Sequence, residues 1–276
     1  MSIMRFGRHP IGLVGFAFVA ALVVSACAGS SRTPRIVVIT LPPAPVTAAP
    51  AASGGATGGD VAPAAVSNVL ITSAAPDGKW KVTFKKPLVT GLPDAVNSKI
   101  NDAITGQVNG YVAAFSGRQD LPAVAKDASP SQLEGDYAIA LNSSSVVSFR
   151  FTQLVWLSGQ DHPTGTPGSV SFAVSSGKAL TLADLFAEPA KAVGTIAMKT
   201  HSALVTTLGT ELTWDGKATS LDFFSKAWAI TAAGLEFSWP QGQIASSAGG
   251  MPSATVAWAD LASLLKPGSA VASLVK

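Results

Sequence analysis

The sequence has a single cysteine, Cys27, among 276 residues. One thiol cannot form a disulfide framework within the chain, and it cannot supply the cysteine pairs of a zinc site. An unpaired thiol is also a liability in an oxidising compartment. The scarcity of cysteine therefore excludes a disulfide-stabilised scaffold and makes Cys27 the position whose chemistry needs an explanation.

Histidine is almost as scarce, with three residues in the chain. The sequence contains no His-Glu-x-x-His motif, no set of cysteines and histidines and no Gly-x-Ser-x-Gly elbow. Neither a metalloprotease site nor an α/β-hydrolase site is therefore supported. We predict that the protein uses no metal and no cofactor.

Charged residues make up only 13% of the chain. The one dense basic cluster alternates with apolar residues and consists of Lys79, Lys81, Lys85 and Lys86. We interpret this cluster as the solvent face of a strand, in preference to a patch that binds anions. Because a nucleic-acid backbone is bound by clustered Lys and Arg on a larger scale, we predict no nucleic-acid partner.

The N-terminal segment has the layout of a signal peptide. Residues 1–10 contain Arg5 and Arg8 and no acidic residue, and residues 11–26 contain no charge. The uncharged stretch is shorter than the roughly 20 residues that a transmembrane helix needs. A signal peptide over residues 1–26 that is removed from the mature protein is therefore predicted.

The apolar stretch ends in Leu22-Val23-Val24-Ser25-Ala26-Cys27, which resembles the lipobox of bacterial lipoproteins. This resemblance implies cleavage before Cys27 and diacylation of its thiol, and two acyl chains anchor a protein stably. We expect a protein held by lipid on the extracytoplasmic face of the cell membrane. Without residues 1–26 the formal charge is (19 − 2) − 16 = +1. The alternative is an ordinary secretory signal that happens to precede a cysteine.

Residues 27–66 are rich in Ala, Pro and Gly and carry few charges. A segment of this kind buries too little apolar surface to offset its conformational entropy, so we predict a disordered tether. The apolar run 36–39 has the composition of a strand, although the flanking prolines argue against a central one. Residues 67–276 are long enough for one domain with a sizeable core.

Apolar periodicity within residues 67–276 predicts a mixture of strands and helices. A helix should begin at Pro93-Asp94 and extend to about residue 115, and a second should cover residues 190–208. Strands are predicted at 79–89, 137–141, 146–157, 169–174, 227–230, 235–239 and 254–258, a capped helical turn at 181–186 and a C-terminal helix at 260–265. Several strands are consecutive, which favours an α+β fold with a mixed or antiparallel sheet and two main helices.

Several blocks of sequence occur in the order found in a known domain. They are residues 146–152 (Val-Val-Ser-Phe-Arg-Phe-Thr), 159–163 (Gly-Gln-Asp-His-Pro), 171–178, 180–186 (Leu-Thr-Leu-Ala-Asp-Leu-Phe), 227–237, 241–242, 248–250 and 256–265. Together they resemble the extracytoplasmic domain of RsiV-type anti-sigma factors. The resemblance covers about residues 90–265, and it is closest to the secreted mycobacterial immunogenic proteins that share the domain.

The resemblance implies a single α+β domain with a β-grasp-like part and no established catalytic residues. In RsiV-type proteins the domain binds lysozyme, and this binding triggers proteolysis of the anti-sigma factor. Only ten residues precede the apolar segment here, so we expect no cytoplasmic module that holds a sigma factor. Anti-sigma activity is therefore not transferred to this chain.

Three features are candidate binding elements. Asp161 and His162 lie in a predicted loop, either as a base with its orienting acid or as part of a partner-binding edge. Trp214 is predicted on a turn, where an exposed aromatic ring can bind a glycan or a protein. Gly249 and Gly250 form a further predicted turn. We expect a site if these three elements converge on one concave surface.

The remaining candidates have simpler interpretations. Glu134 and Asp136, at a spacing of two, would share one strand face. A glycosidase needs two carboxyl groups about 5 to 9.5 Å apart, but two solvent-facing acids on an edge strand fit the pattern better. His201 is predicted to be a half-buried helix residue. The other tryptophans lie in predicted strands as core or half-buried residues: Trp80, Trp156, Trp228, Trp239 and Trp258.

These observations favour a non-enzymatic lipoprotein of the cell envelope whose domain binds another macromolecule, either lysozyme or a cell-wall component. One alternative is an envelope hydrolase that acts on a glycan or an ester with His162 as its base. Another is a secreted immunogenic relative that modulates a host factor. Catalysis is disfavoured because no nucleophile is identifiable.

The lipid anchor is directly testable. In Cys27→Ala the thiol that accepts the acyl chains is absent, so the mature protein should leave the membrane fraction and appear in the soluble fraction. Fractionation followed by mass spectrometry of the N-terminus measures both changes. The anchor hypothesis fails if wild-type protein carries a free Cys27 N-terminus, or if the variant stays with the membrane.

Overall fold

A computed structural model describes residues 37–40, 62–125, 128–218 and 220–275. The predicted signal peptide, Cys27 and most of the predicted tether lie outside these ranges. Within the described part of the chain, no helix combines the length and the hydropathy that a membrane span requires.

The larger sheet contains seven strands that lie side by side in chain order. They are β1 (Val37–Thr40), β2 (Ala65–Ala74), β3 (Trp80–Thr90), β4 (Ser131–Asn142), β5 (Val146–Trp156), β6 (Thr164–Ala173) and β7 (Lys178–Ala179). All neighbours pair antiparallel except β3 and β4, which are parallel. We call this seven-stranded sheet the main sheet.

Helix α1 (Asp94–Ser116) makes the crossover that a parallel pair of strands requires. It begins after Pro93 and buries one apolar stripe at intervals of three or four residues: Val96, Ile100, Ile104, Val108, Val112 and Phe115. This stripe packs on one face of the main sheet against fully buried Phe84, Phe149 and Phe151. The main sheet and α1 together form the first core.

A second layer packs on the opposite face of the main sheet. It contains α2 (Pro189–Leu208), α3 (Trp258–Leu261) and a three-stranded sheet of β8 (Trp228–Ile230), β9 (Gly234–Ser238) and β10 (Ser253–Ala257). Adjacent residues of β5 belong to different cores, with Val147 in the first and Val146 in the second. Because consecutive strand residues point to opposite faces, the main sheet separates two apolar cores. The predicted α+β fold, with a mixed sheet and two main helices in one domain, is confirmed.

Strand β8 contacts the main sheet through serine hydroxyls. The Trp228 backbone N–H donates to Ser169 Oγ at 2.8 Å, and the Ile230 N–H donates to Ser148 Oγ at 3.0 Å. The hydroxyl of Ser148 also lies 2.8 Å from that of Ser171. These N–H groups lie on the edge of β8 that does not pair with β9. The serines therefore satisfy an edge that would otherwise be buried without acceptors.

The turn after β7 contains the helix cap that the sequence predicts at Thr181. Thr181 accepts a hydrogen bond from the Asp184 N–H, and the Asp184 carboxylate accepts one from the Thr181 N–H, which closes a capping box over the 3-10 helix Leu182–Leu185. Hydrogen bonds from the Lys178 ammonium and from Thr181 lower the pKa of Asp184 to about 2. The cap is therefore ionised except in strong acid.

One part of the basic cluster differs from its prediction. Lys81 and Lys85 lie on the exposed side of β3, but Lys86 is buried and donates from Nζ to Thr105 Oγ1 of α1 at 2.6 Å. Adjacent strand residues cannot share one face, so a four-lysine solvent face was wrong for Lys86. Burial lowers the pKa of the Lys86 ammonium.

Two stretches of strand were absent from the prediction. Strand β2 begins at Ala65, two residues before the expected domain boundary, and the first half of β4 precedes the predicted strand 137–141. Residues Val37–Thr40 pair with β2 as an edge strand, in agreement with the argument that proline excludes a central position.

The serine contacts predict a specific loss of stability. Ser148→Ala removes the acceptor of the buried Ile230 N–H, so the free energy of unfolding should fall by about 1–3 kcal/mol. Urea denaturation monitored by tryptophan fluorescence measures this change. Ser175→Ala, in an exposed turn, is the matched control and should stay within about 0.5 kcal/mol of wild type. Equal midpoints for the two variants would contradict the assigned contact.

Candidate functional site

The second layer covers only part of the main sheet. The face of the main sheet that points away from α1, here called the outer face, is covered by β8 near Ser148 and Ser169. Farther along β4 and β5 the outer-face residues are exposed or half-buried: Glu134, Asp136, Thr152 and Leu154. Their neighbours on the inner face, Leu133 and Phe151, are each only 1% exposed. The uncovered outer face is therefore a solvent-facing surface on a rigid sheet.

Three depressions follow one another along this surface. The first lies where the two sheets meet, has a volume of about 420 Å³ and includes Arg150 and Glu236 in its lining. The second, of about 430 Å³, shares Asp136 and Thr152 with the first. The third, of about 290 Å³, shares residues Glu134 and Leu154 with the second.

The shared residues join the depressions into one groove, which we call the β4–β5 groove. It extends along β5 from Arg150 to Trp156. A strand rises about 3.3 Å per residue, so this distance is about 20 Å. Gly135 lies in the floor of the groove and must be a glycine, because a Cβ there would lie 2.0 Å from Cδ2 of Phe84 in the core beneath.

Most charges in the groove are paired. The Lys85 ammonium lies 2.9 Å from the Asp136 carboxylate, and Arg150 contacts Glu236 of β9 at 2.5 Å. The latter pair joins the two sheets at one end of the groove. Glu134 has no ion pair within the described residues. Its carboxylate is thus the one charged group in the groove that forms no ion pair among the described residues.

Trp156 stands at the other end of the groove. Its side chain is half-buried, and Nε1 donates to the Gln160 carbonyl at 2.7 Å. Gln132 faces Trp156 in the strand register, and Pro163 completes the lining. The loop after β5 is held in turn by the Leu157 N–H, which donates to Gln160 Oε1 at 3.2 Å. The indole is therefore fixed in position by its own loop.

The predicted loop residues lie beside this end of the groove. Asp161 and His162 are exposed and directly precede Pro163, which lines the third depression. Among the described residues neither side chain takes part in a hydrogen bond, so the structure shows no aspartate that orients the imidazole. The loop therefore lies beside the groove, and its histidine is not part of an assembled acid-base pair among the described residues.

Trp214 has a different environment from the one expected. It is half-buried, stacks on Phe223 with ring centroids 5.0 Å apart, and meets the edge of half-buried His201 at 5.8 Å. Its Nε1 donates to the Lys217 carbonyl at 2.9 Å. Trp214 packs against the second core and does not line the β4–β5 groove. The expectation of an exposed aromatic ring on a turn does not match this packing.

The Gly249-Gly250 turn contacts the groove indirectly. Gly250 has φ +67°, which favours glycine, and Met251 after it lines the first depression. Gln241 connects this turn to the start of β6, because its Nε2 donates to the Ser247 carbonyl and its Oε1 accepts from the Gly165 N–H. The structure thus brings the turn and the His162 loop to one surface and leaves Trp214 elsewhere.

Sequence reasoning located one part of this surface and missed another. Glu134 and Asp136 do share the outer face, but β4 lies between β3 and β5 and is not an edge strand. Trp156 is a half-buried strand residue as predicted, but its place in the groove was not predicted. Its position along β5 could have indicated this place. Thr152, Leu154 and Trp156 follow one another at intervals of two residues, so they lie on the same face of the strand, opposite the buried inner residues.

Comparison with known proteins gives the fold and little else. No family model and no curated protein matches the chain. The crystal structure of a DUF3298 family protein from Pseudomonas aeruginosa PAO1 superimposes with a TM-score of 0.54 at 14% identity, over 76% of this chain and 97% of that one. A DUF3298 family member from Bacteroides fragilis NCTC 9343 has a TM-score of 0.48 at 11% identity, over 79% and 99%. The first similarity is compatible with an RsiV-like domain.

The different environments of Trp214 and His162 predict different effects of substitution. Trp214→Ala removes a ring that packs on four aromatic neighbours, so the free energy of unfolding should fall by about 2–4 kcal/mol. His162→Ala changes an exposed loop side chain and should have an effect within about 0.5 kcal/mol. Urea denaturation compares the two variants. Unchanged stability of Trp214→Ala would contradict the packing role assigned to this ring.

Proposed function

We propose that this protein is a lipid-anchored component of the cell envelope whose domain binds another macromolecule without chemical turnover, and that the β4–β5 groove is the binding surface. The observation that carries the proposal is the uncovered part of the outer face, with its three connected depressions. A groove of about 20 Å that is open along its length suits an extended partner better than a small metabolite.

The partner is lysozyme or a cell-wall component, on the basis of the RsiV-type resemblance. The proposed anchor and tether suit both partners. Because β1 already belongs to the main sheet, residues 28–36 are what remains for the proposed tether. A flexible chain of about nine residues has a root-mean-square length of roughly 16 Å, so the domain would stay close to the membrane surface. An anchored domain of this kind would meet a wall polymer, or a protein that acts on the wall, without being lost from the cell.

The side chains of the groove favour binding over hydrolysis. Two ion pairs engage four of its five charged side chains, and the remaining one is Glu134. The hydrolase alternative needs His162 as a base, but this imidazole is exposed and has no orienting hydrogen bond from Asp161 among the described residues. Fixed polar groups on a rigid sheet are what recognition requires.

Charge reversal in the groove tests the proposal. The double variant Glu134→Lys with Asp136→Lys replaces two outer-face carboxylates by ammonium groups, so retention on immobilised lysozyme or on insoluble peptidoglycan should fall at least tenfold. The soluble Cys27→Ala background allows the bound fraction to be measured by sedimentation or surface plasmon resonance. Glu188→Lys with Asp215→Lys, two exposed acids away from the groove, is the charge-matched control and should bind like wild type.

Two results would contradict this function. The first is equal retention of the groove variant and the control on whichever partner is bound. The second is turnover of a glycan or ester substrate that His162→Ala abolishes while no binding partner is retained, since this is the behaviour of the hydrolase alternative.

A further inference from the structure

We infer that the Trp156 end of the β4–β5 groove is a subsite for a sugar ring, and that the groove binds a neutral linear glycan along β4 and β5. This inference rests on the proposed function, because it names the chemical class of the partner at the same surface. It commits to a glycan, and a protein partner such as lysozyme becomes an outcome of the test.

The first argument is the presentation of the indole. Trp156 lines the third depression, and the hydrogen bond from Nε1 to the Gln160 carbonyl at 2.7 Å holds the ring in one orientation. A sugar ring carries apolar C–H groups on its faces and hydroxyl groups around its rim. A fixed aromatic ring provides apolar contact area with little loss of side-chain entropy on binding.

The second argument is the set of polar groups around this ring. Gln132 lies directly across from Trp156 in the strand register. Residues paired in this way have their Cβ atoms roughly 4.5 to 5.5 Å apart. Its amide both donates and accepts hydrogen bonds, as sugar hydroxyl groups do. Glu134, which faces Leu154 in the register, adds a carboxylate without an ion pair in the described chain. The rim of a sugar on the indole would therefore meet both an amide and a carboxylate.

The third argument is the repetition of depressions along the groove. The second depression adds the Thr83 and Thr152 hydroxyl groups and the Lys85–Asp136 pair, so hydrogen-bond donors and acceptors continue beyond the Trp156 end. Neighbouring depressions share lining residues and follow one another along β5. A row of similar polar sites fits a polymer of repeating polar units.

The geometry of the sheet argues against an extended peptide as the ligand. A peptide that adds to a sheet needs a free edge with unpaired backbone N–H and C=O groups. Both β4 and β5 are paired on both sides, so the floor of the groove offers side chains alone.

Charge argues against an anionic polymer. The groove is lined by two cationic and three anionic side chains: Lys85, Arg150, Glu134, Asp136 and Glu236. The formal charge of this lining is −1, whereas polyanions are bound by clustered cations. A neutral glycan is the polymer that satisfies both the shape and the charge of the groove.

Calorimetric titration of the mature Cys27→Ala protein, which lacks residues 1–26, with two neutral tetrasaccharides, tetra-N-acetylchitotetraose and cellotetraose, tests the inference. We expect saturable binding of at least one of them. Trp156→Ala should weaken this binding at least tenfold and Trp156→Phe should have an intermediate effect, because phenylalanine keeps part of the stacking surface. Glu134→Gln should weaken it about threefold or more, and the matched control Glu188→Gln should leave it unchanged.

The stability of each variant is measured in parallel. Affinity that rises from Trp156→Ala through Trp156→Phe to wild type, at unchanged stability, indicates stacking on the ring and not damage to the loop. The inference is overturned if neither tetrasaccharide binds at millimolar concentration, or if Trp156→Ala binds like wild type. Retention on immobilised lysozyme without glycan binding would overturn this inference and leave the proposed function standing. Loss of binding to lysozyme, peptidoglycan and tetrasaccharides alike would overturn both.

Discussion

Strand β8 approaches the main sheet with two backbone N–H groups that need acceptors, and the hydroxyls of Ser148 and Ser169 supply them. A buried N–H without an acceptor costs about 1–3 kcal/mol, so these two contacts fix where the small sheet can sit. Their position decides how much of the outer face is covered. The groove exists because the contacts lie at one end of β5 and leave the other end open.

The Arg150–Glu236 pair extends this constraint into the site. It joins β5 to β9, so the same packing that closes the second core also sets the wall of the first depression. The first core supports the floor of the groove, because the absence of a side chain at Gly135 lets Phe84 pack directly beneath it. The β4–β5 groove is therefore supported by both cores, and in the proposed function a ligand would meet polar groups that are already held in place.

The helices and most strands could be predicted, because apolar periods of two and of three to four residues report directly on local structure. The site could be predicted only in part. The parity of Glu134 and Asp136 placed both on one face, but their strand was mistaken for an edge because the crossover through α1 pairs β4 with β3. Trp156 is half-buried in β5 as predicted. Its place in the groove and the packing of Trp214 could not be predicted, because local pattern does not reveal what packs on an aromatic ring.

Properties that depend on neighbouring residues follow from the sequence: the signal-peptide layout before Cys27, the apolar stripe of α1 and the helix cap at Thr181. Other properties depend on packing between residues far apart in the chain. These are the open half of the outer face, the burial of Lys86, and the difference between Trp214 in a core and Trp156 in a groove. The reason is physical. Both faces of the main sheet contribute to apolar cores, so alternation along a strand separates the faces but cannot tell where the second layer ends.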